Sequence, residues 1–153
     1  MKKYLFLIPV IAILLVGCGK EETKGVVSCT LKSNDVINGY SMDSKYTINY
    51  VGDIVDNVET VETVTSENQT FLETVKTSAE DTYNKMNAAY GGYTYSVSLN
   101  GNTVVSSAKI DYNVMNVSKF VEDQPTLKSY SKDGKLTVEG VKSLYSALGA
   151  TCE

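Results

Sequence analysis

The side chains that could carry chemistry in this 153-residue chain are few in type. Cysteine occurs at Cys18, Cys29 and Cys152, tyrosine occurs eleven times, and histidine, arginine and tryptophan are absent. Without histidine, Ser-His-Asp and Cys-His catalysis are excluded, as are zinc sites built on imidazole. Without arginine, no guanidinium fork can clasp a phosphate or carboxylate. Carboxylate, lysine and tyrosine chemistry remain. Eight acids and a single lysine lie between Asp53 and Asp81. The spacing Asp53, Asp56, Glu59, Glu62 lacks the alternate-position oxygens and the glycine of an EF-hand loop, so this run reads as a solvated acidic face and no metal site is expected. Paired carboxylates for glycoside hydrolysis would be available there, but there is no tryptophan to serve as a sugar platform. Most tyrosines fall at alternating or helical positions, which suits half-buried rings with hydroxyls reaching water. The sharper alternative is a tyrosine-lined groove for a peptide or glycan.

Cys18 stands apart because of what precedes it. Met1-Lys2-Lys3 supplies positive charge, and residues 4–16 form an apolar run broken by Pro9. At about 13 residues that run is too short for a membrane-spanning helix, which needs roughly 20, and it has the proportions of a signal peptide. The segment Leu14-Leu15-Val16-Gly17-Cys18 resembles the lipobox of bacterial lipoproteins. The resemblance implies cleavage before Cys18 and diacylglycerol on its thiol, with further acylation by palmitate-type chains. Each buried methylene contributes roughly 0.8 kcal/mol, so two or three chains hold a protein stably. The expected location is therefore the cell membrane, lipid-anchored on the extracytoplasmic face. The membrane is the first expected partner.

Removing residues 1–17 takes away two lysines and no acid, so the remainder is more acidic than the full chain's net charge of −4. A chain of that sign with no basic cluster is unsuited to nucleic acid and has no polybasic grip on anionic lipid. The length left is enough for one domain with a real core. The expected division is a signal peptide over 1–17, a lipidated N-terminus and flexible tether over 18–26, and a single domain over 27–153. With Cys18 taken by lipid, Cys29 and Cys152 remain in a compartment that permits oxidation. One lies near each end of the domain, and a disulfide between them is expected. That bond requires Cα atoms within about 7 Å.

The elements follow from periodicity and punctuation. A first strand is read over Val27 to Lys32, with Asn38-Gly39 as a turn, then a half-buried strand over Tyr46 to Tyr50 and a turn at Gly52-Asp53. Residues 54–65 repeat valine every three positions but are rich in Val and Thr, which favour strands. They are read as a strand with a bulge. Ser66-x-x-Gln69 has the form of a capping box. Phe71, Leu72, Val75, Ala79, Tyr83, Met86 and Tyr90 then follow at helical spacing to Gly91-Gly92, and this helix is expected to be the main core-forming element on a sheet. Tyr93 to Leu99 and Val104 to Tyr112 read as a hairpin turning at Asn100-Gly101, with 97 opposite 104. A short helical piece around Val117, Phe120 and Val121 runs into Pro125, and Lys132 to Lys135 make a surface turn. Thr137 caps a last helix with Val138, Val141, Leu144, Tyr145 and Leu148 inward. The fold class is α+β: an antiparallel sheet of about five strands, one long helix packed on it and a short C-terminal helix.

Tyr46-x-x-x-Tyr50-x-Gly52-Asp53, the capped helix, and Ile110-Asp111-Tyr112 before a short helix resemble the YehR-like family of small bacterial lipoproteins. The similarity covers residues 27 to about 122, and the helix after Thr137 and the Cys29/Cys152 pair would be departures from it. The resemblance implies a compact α+β fold and brings no catalytic residues. The functional expectation is a non-enzymatic binding or interaction module with no cofactor, its ligand an envelope protein, peptide or glycan. The alternative is a small cell-envelope enzyme using carboxylate or tyrosine chemistry.

Overall fold

A computed structural model describes residues 23–153. Cys18 and the leader lie outside the described residues. The elements run β1 (Lys24–Asp35), β2 (Tyr40–Val51), β3 (Ile54–Ser66), α1 (Gln69–Tyr90), β4 (Tyr93–Asn100), β5 (Thr103–Asp111) and α2 (Val117–Asp123). A 3-10 helix (Pro125–Tyr130), β6 (Ser131–Lys132), β7 (Lys135–Leu136), α3 (Val138–Ala147) and β8 (Thr151–Cys152) complete the chain. Six strands make one sheet in the order β4-β5-β3-β2-β1-β8, and β6-β7 form a separate small hairpin. All pairings are antiparallel. The α+β expectation holds, with one strand more than anticipated in the main sheet. β1 begins at Lys24, so the last three residues of the expected tether already pair with β2.

The register places alternate residues on a covered face and an open one, as a period of two requires. On the covered face Val27 faces Ile48, which faces Val58, which faces Ile110. The bulge in β3 falls at Asp56: Asn49 pairs with Asn57 but Tyr50 pairs with Val55. One inserted residue lets Val55 and Val58 share the covered face, both nearly fully buried. Val58 and Val61 do point to opposite faces, and Val61 is 45% exposed.

Two local expectations are corrected. The α1 N-cap is Asn68, whose Oδ1 accepts the Phe71 N–H at 3.0 Å. Ser66 ends β3 instead; its hydroxyl donates to the Gly39 carbonyl and accepts from the Asn68 N–H, so no capping box forms. The β4–β5 turn is Gly101-Asn102, with Asn100 opposite Thr103 and Val97 opposite Ser106. Gly101 has φ 56, the positive φ that a type II′ hairpin places at its first loop position. The register thus slips by two residues, which leaves every side chain on its expected face. The remaining caps agree with expectation: Thr137 accepts the Gly140 N–H, and α3 closes before Gly149 with φ 95.

α1 lies over the β4 side of the sheet and buries only Leu72 completely; Phe71, Val75, Ala79, Tyr83 and Met86 are half-buried. It is not the main core-forming element. That role falls to the segment 115–150, which returns over β1, β2 and β3 and places Met115, Val117, Phe120, Leu127, Leu136, Val138, Val141 and Ala150 against Cys29, Tyr46, Ile48, Val55 and Val58. A helix above an edge strand has sheet beneath only part of its face, which explains its shallow burial. Leu148 was expected inward and is 62% exposed, because it forms the C-cap of α3.

Leu72→Ala should destabilise the domain by about 3 kcal/mol through lost transfer energy and a residual cavity. Val75→Ala, at a half-buried site one turn on, should cost clearly less. Chemical denaturation of both variants checks the ranking.

Candidate functional site

The eight acids that the sequence groups together are dispersed by the fold. Asp53, in the β2–β3 turn, bonds Lys132 Nζ at 3.0 Å. Asp56, in the bulge, accepts from the side chains of Asn57 and Asn113. Glu59 lies on the open face 3.7 Å from Lys109. Glu62 lies on the covered face, where it accepts the Tyr46 hydroxyl at 3.0 Å. Glu67 accepts from Asn102, and Glu80 pairs with Lys76 along α1. The single acidic face is therefore corrected: odd and even positions of β3 point to opposite sides. Among the described residues no three Cys, Asp or Glu side chains are grouped to hold a metal ion. Asp53 and Asp56 are held below the usual carboxylate range, the first by its bond and charge pairing with Lys132, the second by the amides of Asn113 and Asn57. Such carboxylates are stabilised as anions and are poor proton donors near neutrality.

The tyrosines form an interlayer between sheet and helices. Tyr46 stacks on Tyr145 with ring centroids 4.2 Å apart, and Tyr83 stacks on Tyr95 at 5.1 Å. Tyr40 packs on Phe71, and Tyr90 meets Phe120 edge-on. Burial pushes the Tyr93 hydroxyl up to about 12 and raises Tyr46, Tyr83, Tyr112 and Tyr145 as well. These rings are packing elements, and they hold their protons more firmly than a free tyrosine would. Beneath them runs a polar row across the sheet, Ser44–Glu62–Ser106, set by the β2–β3 and β3–β5 registers. The buried hydroxyls of Ser44 and Thr60 make no hydrogen bond among the described residues.

Two surfaces of the main sheet are open, beside shallow depressions along α1 (Glu73 to Lys85) and between α2 and the β6–β7 hairpin (Val121, Pro125, Gly134). The first is the whole open face of the sheet, which none of the described helices covers. It carries hydroxyls and scattered charge, with cross-strand pairs Lys32–Asp43 at 2.7 Å and Thr65–Thr103 at 3.3 Å. Two broad depressions mark it. One, of about 360 Å³, is bounded by Glu59, Val61, Thr94, Ser96, Ser107 and Lys109. The other, of about 480 Å³, is bounded by Lys32, Asn34, Ser41, Asp43, Thr63 and Thr65. The second surface is the outer edge of β4. At the far end of the β1–β2 hairpin, Val36 and Ile37 are 80% and 96% exposed. The alternation of polar residues in β3 and β5 was the sequence signal for an open face; the edge position of β4 had no such signal.

Of the expected site residues, Cys29 and Cys152 are brought together. They form a disulfide with Cα atoms 4.0 Å apart. Ser28 and Glu153 exchange both backbone hydrogen bonds at 2.9 Å, so the cysteines occupy the adjacent non-hydrogen-bonded pair, where side chains on antiparallel strands approach most closely.

The molecule so described is a small α+β domain with a six-stranded antiparallel sheet covered on one face only. No protein-family model and no curated protein matches the chain. Two solved structures share its fold. An NMR structure of a protein from Streptococcus pneumoniae TIGR4 is 16% identical with a TM-score of 0.52, over 100% of this chain and 96% of that one. The NMR structure of Escherichia coli YehR is 14% identical with a TM-score of 0.51, over 86% of this chain and 91% of that one. The YehR-like resemblance thus holds at the level of fold. The pneumococcal match spans the whole chain, α3 included.

Two outcomes are expected. Alkylation of the non-reduced protein should leave Cys29 and Cys152 unlabelled, and replacing both by alanine should cost about 2–5 kcal/mol of stability. Because the buried tyrosines have raised folded-state pKa values, their contribution is full below the ordinary tyrosine value of 10 and is lost as pH rises towards about 12. Alkaline titration should therefore show the tyrosinate absorbance of the five buried rings, Tyr46, Tyr83, Tyr93, Tyr112 and Tyr145, appearing together with loss of the circular-dichroism signal rather than ahead of it.

Proposed function

We propose that the protein is a lipid-anchored, extracytoplasmic binding or interaction module, held at the cell membrane through acyl chains on Cys18. The supporting observation for binding is the form of the available surface. It is an extended open sheet face and a free strand edge, where the depressions are broad and lined by hydroxyls and paired charges. Flat faces and strand edges suit protein, peptide or glycan partners, whereas catalytic sites concentrate converging polar groups in a deep, mostly apolar pocket. Burial raises Tyr46, Tyr83, Tyr93, Tyr112 and Tyr145, and hydrogen bonding lowers Asp53 and Asp56, so these seven groups are moved away from proton exchange near neutral pH.

The support for anchoring is in the sequence. Five residues separate Cys18 from Lys24, where β1 begins. Even fully extended, at roughly 3.3–3.6 Å per residue, such a tether keeps the start of β1 within about 20 Å of the lipid. The net acidic charge, without a basic cluster after residue 17, offers no polybasic second attachment to anionic lipid.

Metabolic labelling with a fatty acid, followed by membrane fractionation, tests the anchor. The unaltered chain should carry label and sediment with membranes. Cys18→Ala should be unlabelled and unprocessed. A variant that is cleaved normally and wholly secreted would overturn the lipoprotein reading.

A further inference from the structure

The outer edge of β4 has a specific pattern. Asp111 N–H donates to the Gly92 carbonyl at 2.9 Å, which fixes the alternation along the β4–β5 ladder: residues 94, 96, 98 and 100 turn their backbone groups towards β5. Residues 93, 95, 97 and 99 turn theirs outward. The Tyr93 N–H is taken by Asn87 Oδ1 at 3.1 Å. Tyr95, Val97 and Leu99 are left with N–H and C=O groups that make no hydrogen bond among the described residues. Natural edge strands are ordinarily blunted by charge, proline, a bulge or brevity. β4 has none of these: it is eight residues long, Tyr-Thr-Tyr-Ser-Val-Ser-Leu-Asn, uncharged and in unbroken register with β5. At the opposite edge the two-residue β8 covers only the middle of β1 and is locked there by the disulfide, and the uncovered parts of β1 carry Lys24 and Lys32.

We propose that β4 pairs antiparallel with β4 of a second copy of this chain, about a two-fold axis through Val97, joining two six-stranded sheets into one. The edge is self-complementary about that point. Val97 faces Val97 and Tyr95 faces Leu99, so all six outward groups of Tyr95, Val97 and Leu99 in each copy find partners. Their half-exposed apolar side chains meet on the covered face, while Ser96 meets Ser98 on the open face, and no charge opposes any other. The axis is normal to the sheet, so the two Lys24 ends lie at equal height above a plane parallel to it and both tethers can reach one bilayer. A single strand pairing is smaller than the roughly 1,200 Å² of a stable solution interface. The inference therefore rests on the anchored reading above, since attachment to a common membrane raises the effective concentration of one copy for another.

The test uses the full chain in the membranes of the cells that make it. Ser96→Cys and Ser98→Cys chains carrying different tags are co-expressed and mildly oxidised. Positions 96 and 98 of opposite copies form a non-hydrogen-bonded pair with Cα atoms about 4.5 Å apart, within disulfide reach. The cross-linked product should contain one chain of each tag, and either variant alone should cross-link little. Adding Val97→Pro removes an outward N–H, which an edge strand tolerates, together with a half-buried side chain; cross-linking should fall to background while circular dichroism shows the chain still folded. Absence of the mixed product overturns the pairing and leaves the edge to a foreign extended peptide. Equal cross-linking of the single variants, or a yield that survives Val97→Pro, overturns it too. Fatty-acid label on the same samples separates the two readings: label without cross-link refutes the pairing alone, and cross-link without label refutes the anchor alone.

Discussion

The Cys29–Cys152 bond is the constraint on which the arrangement of the domain depends. β8 contributes only two residues to the sheet, too few to hold an edge by backbone pairing alone. Yet it carries the end of the segment 115–150, which covers β1, β2 and the start of β3 and supplies most of the core. The disulfide removes much of the conformational freedom that the unfolded chain would otherwise have between residues 123 positions apart. It also fixes where the covering segment must end, directly beside the strand it protects. Two further contacts seat that segment at its other side, Val138 N–H on the Asp53 carbonyl and the Ile54–Thr137 bridge, and the Tyr112 N–H on the Asp56 carbonyl fixes the chain just before it.

The division of labour between the two halves of the covered face follows. Over β1–β3 the floor is apolar, with Ile48 and Val58 fully buried, and the C-terminal segment seals it. Further along the same strands the floor turns polar, with Ser44 of β2, Thr60 and Glu62 of β3 and Ser106 of β5, and the long helix on the β4 side buries one side chain completely. A polar floor under an amphipathic helix is stable only where its groups find partners. Glu62 finds one in Tyr46, whereas the hydroxyls of Ser44 and Thr60 do not.

Much of this was legible in the residues themselves. Alternation in β2, β4 and β5, glycines at the turns, the Thr137 cap and the cysteine arithmetic each pointed to the element or bond that forms. What was not legible depended on choices between near-equivalent local signals. Ser66 and Asn68 are both good capping residues, and only the Gly39 carbonyl, brought close by the β1–β2 loop, takes Ser66 out of contention. Asn100-Gly101 and Gly101-Asn102 both make acceptable hairpin turns and preserve the same faces, so periodicity could not separate them. β8 has too few residues to show any period. The edge position of β4 is a property of strand order, which no local pattern in the sequence specifies. Among the expected site residues, the cysteine pair was found and the acidic run was misjudged, because counting acids along a strand ignores that neighbours point to opposite sides of the sheet.

The disulfide has a mechanical consequence. A pull applied between Lys24 and Glu153 follows the shortest covalent path, which runs along the first residues of β1 to Cys29, across the sulfur bridge and out through Cys152. Everything between those cysteines lies inside a closed loop and bears none of the tension. Stretching the ends can peel Lys24 to Ser28 from β2, but it cannot draw out the hairpins, the helices or the β4 edge. The domain behaves under load as a short strap riveted to a body that the load does not enter.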